Sequence, residues 1–204
     1  LLKVGLTGGI GCGKTVVRRR LEERGLPTLD ADGVVHRLLS RPNDVTRAIE
    51  DAYGPEVMAP DGSVDRKALG KVVFADDEAR KKLNAIVHPA VYREIERFLE
   101  ERERAGDPVA VVDAALMIET GSYRRYDALV VVHCRPELQL ERVMTRDGLS
   151  REEAERRLRS QMPVEEKVRF ADFPVDTSGS LEETWRQADE LARRLSSSGG
   201  LRSR

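Results

Sequence analysis

Apolar residues along this chain fall into two rhythms. Short unbroken runs occupy residues 3–7, 27–29, 109–112, 128–133 and 173–175. The runs at 109–112 and 128–133 are rich in Val, as strands covered on both faces of a parallel sheet tend to be. Between these runs, apolar positions recur three or four residues apart, the spacing of one face of a helix. Strand and helix patterns therefore alternate, which predicts an α/β chain with a doubly wound, five-stranded parallel sheet and helices on both faces. Several helix starts are marked. Pro136 suits a first helical position, and Ser150 with Glu153 and Ser180 with Glu183 have the spacing of capping boxes.

One connection is far longer than a crossover needs. Nearly 80 residues separate the second run from the third, whereas a helical crossover between parallel strands takes on the order of a dozen. Periodic positions within it describe several amphipathic helices: Val34, Val35, Leu38 and Leu39, then Val45 and Ile49, then Leu69, Val72 and Val73, then Leu83, Ile86 and Val87. Pro60, Asp61 and Gly62 break them with a turn. His88 followed by Pro89 reads as a helix boundary. The pattern predicts a helical insertion that either holds a phosphoryl acceptor or serves as a partner-binding arm.

The densest chemistry lies at the first run. Gly8, Gly9, Ile10, Gly11, Cys12, Gly13, Lys14 and Thr15 complete GxxxxGK[ST] directly after Val4, Gly5 and Leu6. Four glycines in eight residues let successive N–H groups converge on a polyphosphate, and the helix beginning near Gly13 adds the positive end of its dipole. In this pattern the lysine reaches the terminal phosphates and the hydroxyl of Thr15 sits on Mg²⁺. Two further carboxylate groups end apolar runs. The second run closes on Asp30, Ala31, Asp32, at the strand end where ligands of doubly wound sheets collect. If strand geometry persists, the two acids point the same way; if a helix begins at Ala31, they diverge and Asp30 becomes its N-cap. Asp113 closes the third run, where a carboxylate can hold Mg²⁺ through water.

Charge and composition narrow the partners. Lys+Arg 35 against Asp+Glu 36 leaves a formal charge of −1 and a pI near 6.4, with no bulk field to gather nucleic acid or an anionic membrane. No apolar stretch approaches the roughly 20 residues of a bilayer span. Cys12 and Cys134 are too few and too far apart in sequence to suggest a disulfide framework or a metal site, which fits a reducing cytoplasm. Residues 135–169 hold nine basic and eight acidic residues, the balance of a salt-bridged helical hairpin. Within it Arg142 and Arg146 share one helix face, a geometry suited to clamping a transferring phosphoryl group. Gly148 then breaks the helix, so that the chain beyond it is able to pivot as a lid. Residues 197–204 read as a flexible polar tail.

Taken in order, these blocks resemble the dephospho-CoA kinases, a family of phosphate-loop kinases. The resemblance rests on Gly5-Leu6-Thr7-Gly8-Gly9-Ile10-Gly11, Asp30-Ala31-Asp32, Asp65-Arg66, His88-Pro89, and Asp113 with Leu116 and Glu119. It continues through Arg146-Asp147-Gly148-Leu149-Ser150, Gln161-Met162-Pro163, Lys167 and Ala171-Asp172-Phe173. It implies a sheet of the phosphate-loop kinase type and transfer of the ATP γ-phosphoryl group to the ribose 3′-hydroxyl of 3′-dephospho-CoA, the last step of coenzyme A synthesis. It makes residues 8–15 the ATP phosphate site, Asp32 the base, and Lys14, Arg142 and Arg146 its catalytic cations. Asp32, His88, Asp113, Leu116 and Glu119 are assigned to the acceptor, and Thr15 to Mg²⁺, aided by Asp32 or Asp113 through water.

The implied division is a nucleotide core at 1–30, 106–134 and 170–196, an acceptor domain at 31–105 and a lid at 135–169. Three positions depart from the family pattern: Cys12 stands where Ser is commoner, Ala115 where Pro precedes the Leu, and Thr177 where an Asn follows the Asp. A nucleoside monophosphate kinase shares the sheet, loop and lid and is the main alternative. A regulatory GTPase lacks support because none of the seven lysines sits in an NKxD-like motif. A non-enzymatic ATP-gated interaction protein is the third reading.

Overall fold

A computed structural model describes residues 1–197; the expected tail lies outside the described residues from 198 onward. Its elements are β1 (Leu2–Gly8), α1 (Lys14–Glu23), β2 (Thr28–Asp30), α2 (Ala31–Leu39), α3 (Asp44–Tyr53), α4 (Arg66–Ala75), α5 (Asp77–Arg104), β3 (Val109–Asp113), β4 (Ala128–His133), α6 (Pro136–Asp147), α7 (Arg151–Arg159), α8 (Val164–Val168), β5 (Phe173–Asp176) and α9 (Leu181–Ser197). The five strands make one parallel sheet in the order β2-β3-β1-β4-β5. Each falls on one of the five apolar runs.

Both faces of the sheet are covered at its centre, which is why β3 and β4 are apolar nearly end to end. On one face Val4, Leu6, Val130 and Val132 pack with Val17 and Leu21 of α1 and with Ala188, Leu191 and Leu195 of α9. On the other, Leu129 and Val131 pack with Met117 and Ile118, and Met162 and Val168 close over them. Register sets the rim where ligands collect: Leu6 lies opposite Asp113 of β3, and Gly8 opposite Val132 of β4.

The chain folds as two compact units, one made of Leu1–Leu29 with the chain from Leu99 onward, the other of Asp30–Phe98. In the second, helix starts are made by side chains. Asp30 accepts from the N–H of Gly33 at 2.8 Å, and Asp65 from Lys67 and Ala68 at 2.9 and 3.0 Å. Asn43 accepts from Val45 at 2.7 Å while Thr46 Oγ1 returns a bond to the Asn43 N–H at 2.9 Å. The turn at residues 60–62 forms as the sequence suggests, with Asp61 accepting from the N–H of Ser63 at 3.0 Å.

Two expectations fail here. The helix does not end at His88-Pro89: α5 runs through Pro89. Proline removes one hydrogen bond at a cost of about 3 kcal/mol, but Val87, Ala90, Val91 and Ile95 are buried on both sides of it, and their packing carries the helix past. Val72, periodic with Leu69, is 39% exposed rather than in the core.

Candidate active site

The turn between β1 and α1 is built so that backbone amides meet one point. Gly11 and Gly13 both have φ of 77°, a region that residues with a Cβ resist. A Cβ on Gly8 would run into the carbonyl of Val132. Cys12 N–H donates to Gly9 O at 3.1 Å and Val16 N–H to Gly13 O at 2.9 Å, closing the turn. Helix α1 then starts with no side-chain cap and no acid in its first turn. Its first N–H groups and dipole are left for an anion. Thr15 is exposed on that turn.

Lys14 forms an ion pair with Asp113, the acid at the end of β3, and Arg18 places Nε 3.3 Å from the other carboxylate oxygen. Asp113 is 2% exposed, so this carboxylate is held dry between two cations from one face of α1. Lys14 and Asp113, 99 residues apart, are thus brought together.

A second polar group lies under the loop. Lys167 of α8 is fully buried. Its Nζ donates to Glu119 Oε1 at 2.9 Å, Ala115 O at 3.0 Å and Gly8 O at 3.4 Å. Glu119 Oε1 also accepts from Met162 N–H at 3.1 Å, and Thr7 Oγ1 donates to Ala115 O at 3.1 Å. Ile10 is gripped on both sides, its N–H by Gln161 Oε1 at 3.1 Å and its carbonyl by Gln139 Nε2 at 2.8 Å.

The two arginines of α6 part company. Arg142 forks onto Thr177, 3.1 Å to Oγ1 and 2.8 Å to O, while Thr177 Oγ1 donates to Cys12 O at 2.8 Å. Arg146 is 57% exposed and pairs with its neighbour Asp147, which Arg157 also reaches at 2.7 Å. The Arg146 hydrogen bond holds the Asp147 carboxyl below its ordinary range. Gly148, at φ 64°, ends the helix as the sequence predicts.

Cys12 and Cys134, distant in sequence, meet in the fold as buried free thiols with their sulfurs 3.6 Å apart. Their mutual hydrogen bond, followed by the charge of Arg142, lowers the Cys134 thiol, while the same bond and burial push Cys12 up.

The remaining predicted residues spread over both units. In the Asp30–Phe98 unit a helix does begin at Ala31, so Asp30 is its N-cap and Asp32 lies exposed in the first turn. His88 sits mid-helix in α5, edge-to-face with Tyr92 at 6.0 Å. Leu116, in the core unit, is 45% exposed. Sequence reasoning assigned no role to Gln139, Thr177 or Arg18, and none to Lys167 beyond its place in a motif. Lys167 did carry a signal: it is the one lysine among the nine basic residues of 135–169.

A parallel sheet in this strand order, a glycine turn into an uncapped helix, and a lysine at the head of that helix define a phosphate-loop kinase fold. The family model for dephospho-CoA kinase (CoaE) matches residues 2–183, and the chain belongs to that family. A dephospho-CoA kinase of Geobacter sulfurreducens is 47% identical over 188 residues, covering 92% of this chain and 95% of that protein. One of Aquifex aeolicus is 39% identical, covering 95% and 97%. Among solved structures, dephospho-CoA kinase from Campylobacter jejuni superposes with a TM-score of 0.74 at 28% identity, covering 95% of this chain and 96% of that one. Shikimate kinase from Acinetobacter baumannii, at 21% identity and a TM-score of 0.56, shares the fold.

Proposed function

We propose that the protein transfers the γ-phosphoryl group of ATP to the ribose 3′-hydroxyl of 3′-dephospho-CoA, giving CoA and ADP in the cytoplasm. The observation that carries this reading is the open start of α1. A glycine turn and uncapped N–H groups, with Lys14 beside them, form a polyphosphate cradle in a member of the dephospho-CoA kinase family.

Phosphoryl transfer passes through a loose transition state, so alignment and charge neutralisation dominate. Lys14 is paired with Asp113 and would exchange that carboxylate for phosphate oxygens. The exposed Thr15 hydroxyl on the first turn of α1 would hold Mg²⁺, and Asp113 would act on it through water once Lys14 leaves the carboxylate for the phosphates. Mg²⁺, when bound, supplies neutralisation of phosphate charge. Asp32 accepts the hydrogen bond of the attacking 3′-hydroxyl and takes its proton, while Arg142 and Arg146 neutralise charge from α6. His88, Leu116 and Glu119 belong with the acceptor, residues 31–105 serve as its domain, and residues 135–169 serve as a lid.

The test is an acceptor panel with Mg-ATP, scored by ADP release and by the position of the new phosphate. Dephospho-CoA is expected to be the preferred acceptor, with its phosphate on the ribose 3′-oxygen, because binding energy from the remote pantetheine and diphosphate arm aligns the hydroxyl. Conversion of AMP to ADP with equal or higher efficiency would replace this reading by a nucleoside monophosphate kinase.

A further inference from the structure

We infer that Lys167 is a positioning residue for phosphoryl transfer: its buried ammonium ties the phosphate loop to the loop after Asp113, so that both are held in one register. The inference rests on the kinase reading for the reaction that it serves.

An ammonium has three N–H donors, and Lys167 has three acceptors around Nζ: Glu119 Oε1 at 2.9 Å, Ala115 O at 3.0 Å and Gly8 O at 3.4 Å. Gly8 is the first residue of the phosphate loop. Ala115 comes two residues after Asp113, whose carboxylate holds Lys14. One nitrogen therefore touches both segments that bring Lys14 and Asp113 face to face. Glu119 is the counter-ion, and through Met162 N–H it fixes the chain that enters α8. One residue earlier, Gln161 holds Ile10 of the same loop.

Space-filling does not require this arrangement. Taking an ammonium fully out of water costs several kcal/mol, and well-packed apolar side chains of similar volume often replace buried ion pairs without loss of stability. What methionine would not supply is a grip on two main-chain carbonyls. Arginine would keep the charge, but its donors lie on a rigid plane, so no single nitrogen would serve all three acceptors. The surrounding segment otherwise uses arginine at each of its basic positions. Lysine stands where a point donor is needed.

The consequence is kinetic. Displacements near 1 Å at a reacting centre cost on the order of a hundredfold, and each carbonyl that Lys167 holds lies within two residues of the cradle or of Asp113.

The experiment compares wild type with Lys167→Met and Lys167→Arg. It uses calorimetric titration of a non-hydrolysable ATP analogue with Mg²⁺, steady-state kinetics with dephospho-CoA, and the thermal midpoint of each protein. In folded Lys167→Met, analogue affinity and kcat are each expected to fall by about tenfold or more. Lys167→Arg is expected to recover part of the loss and to remain at least about threefold below wild type in kcat. A purely structural role would move the midpoint and leave both functional readouts of the folded protein where they were. Either variant folded, with affinity and kcat within twofold of wild type, overturns the inference. If Lys167→Met does not fold, Lys167→Arg decides on the same criterion. If wild type binds the analogue but does not phosphorylate dephospho-CoA, the acceptor reading falls, and analogue affinity alone decides the role of Lys167.

Discussion

The core unit and the Asp30–Phe98 unit differ in where they place charge at helix starts and across the chain. In the helical unit, polar side chains open helices: Asp30, Asn43 and Asp65 cap α2, α3 and α4. The N–H groups of Ala68 and Lys67 hold the Asp65 carboxyl below its ordinary range. Ion pairs there, such as Arg47 with Asp44 and Arg97 with Glu94, join residues three apart on exposed faces and are worth a few tenths of a kcal/mol. In the core unit α7 is capped in the same manner by Ser150, but α1 is not. The core unit also carries local pairs, such as Arg18 with Glu22 and Arg151 with Glu155, but it adds pairs over long sequence separations, Lys14 with Asp113, Lys167 with Glu119 and Arg20 with Asp189. An acid capping α1 would fill the place proposed for a phosphate. Helices α6 and α8 also start without a side-chain cap but carry acids in their first turn, Glu137 and Glu165; α1 has neither and draws its stability from the sheet that it covers.

The sharpest way to break this contrast is Lys14→Ala. Arg18 remains beside Asp113, so the buried carboxylate keeps a cation and the protein should fold. Acceptor-dependent ADP formation should fall by more than about a hundredfold, as expected for loss of about 3 kcal/mol of aimed charge. Retention of more than about a tenth of the activity would remove the lysine from its assigned role.

The helical unit predicts a different signature. Asp32→Asn keeps shape and loses basicity, so kcat should drop at least roughly 10²-fold with ATP affinity nearly unchanged. Asp30→Asn should be milder, because asparagine still accepts from Gly33 as a cap. The opposite order, measured in folded proteins, would assign the base to Asp30.

The smallest effect concerns exposed pairing in the core. Hydrogen bonds from Arg20 and Arg24 hold the Asp189 carboxyl far below its usual range. A depressed carboxyl contributes stability above its unfolded pKa of about 3.9 and loses it as pH falls toward the folded value. Asp189→Asn should therefore lower the thermal midpoint at pH 7, and the gap should narrow as the pH is taken from about 4 to about 2. High salt should narrow it too. A gap independent of pH would mean that packing, not charge, joins α1 to α9.

What the sequence made legible was local. Five apolar runs became five strands, GxxxxGK[ST] became a turn into α1, and Ser150 with Glu153 became a capping box because each signal lies within a few residues. The cap at Asn43 went unread because it uses Thr46 in place of the acid usually sought. Distance hid more. Arg142 and Arg146 look alike on a helical wheel, and what separates them is Thr177, 35 residues beyond Arg142. The grip of Lys167 on Gly8 spans 159 residues. The run through Pro89 was missed for a different reason: the penalty of proline is local and visible, whereas the burial that outweighs it is tertiary.

The contact between Cys12 and Cys134 bears on the history of this chain. Two buried side chains that share one volume do not drift independently. The phosphate loop is usually treated as a motif whose residues answer only to the nucleotide, yet position 12 answers also to β4's far end, 122 residues away. Relatives that carry serine at this place should show a compensating change opposite it, making the pair a covarying one in which a substitution on one side sets the fitness of the next on the other.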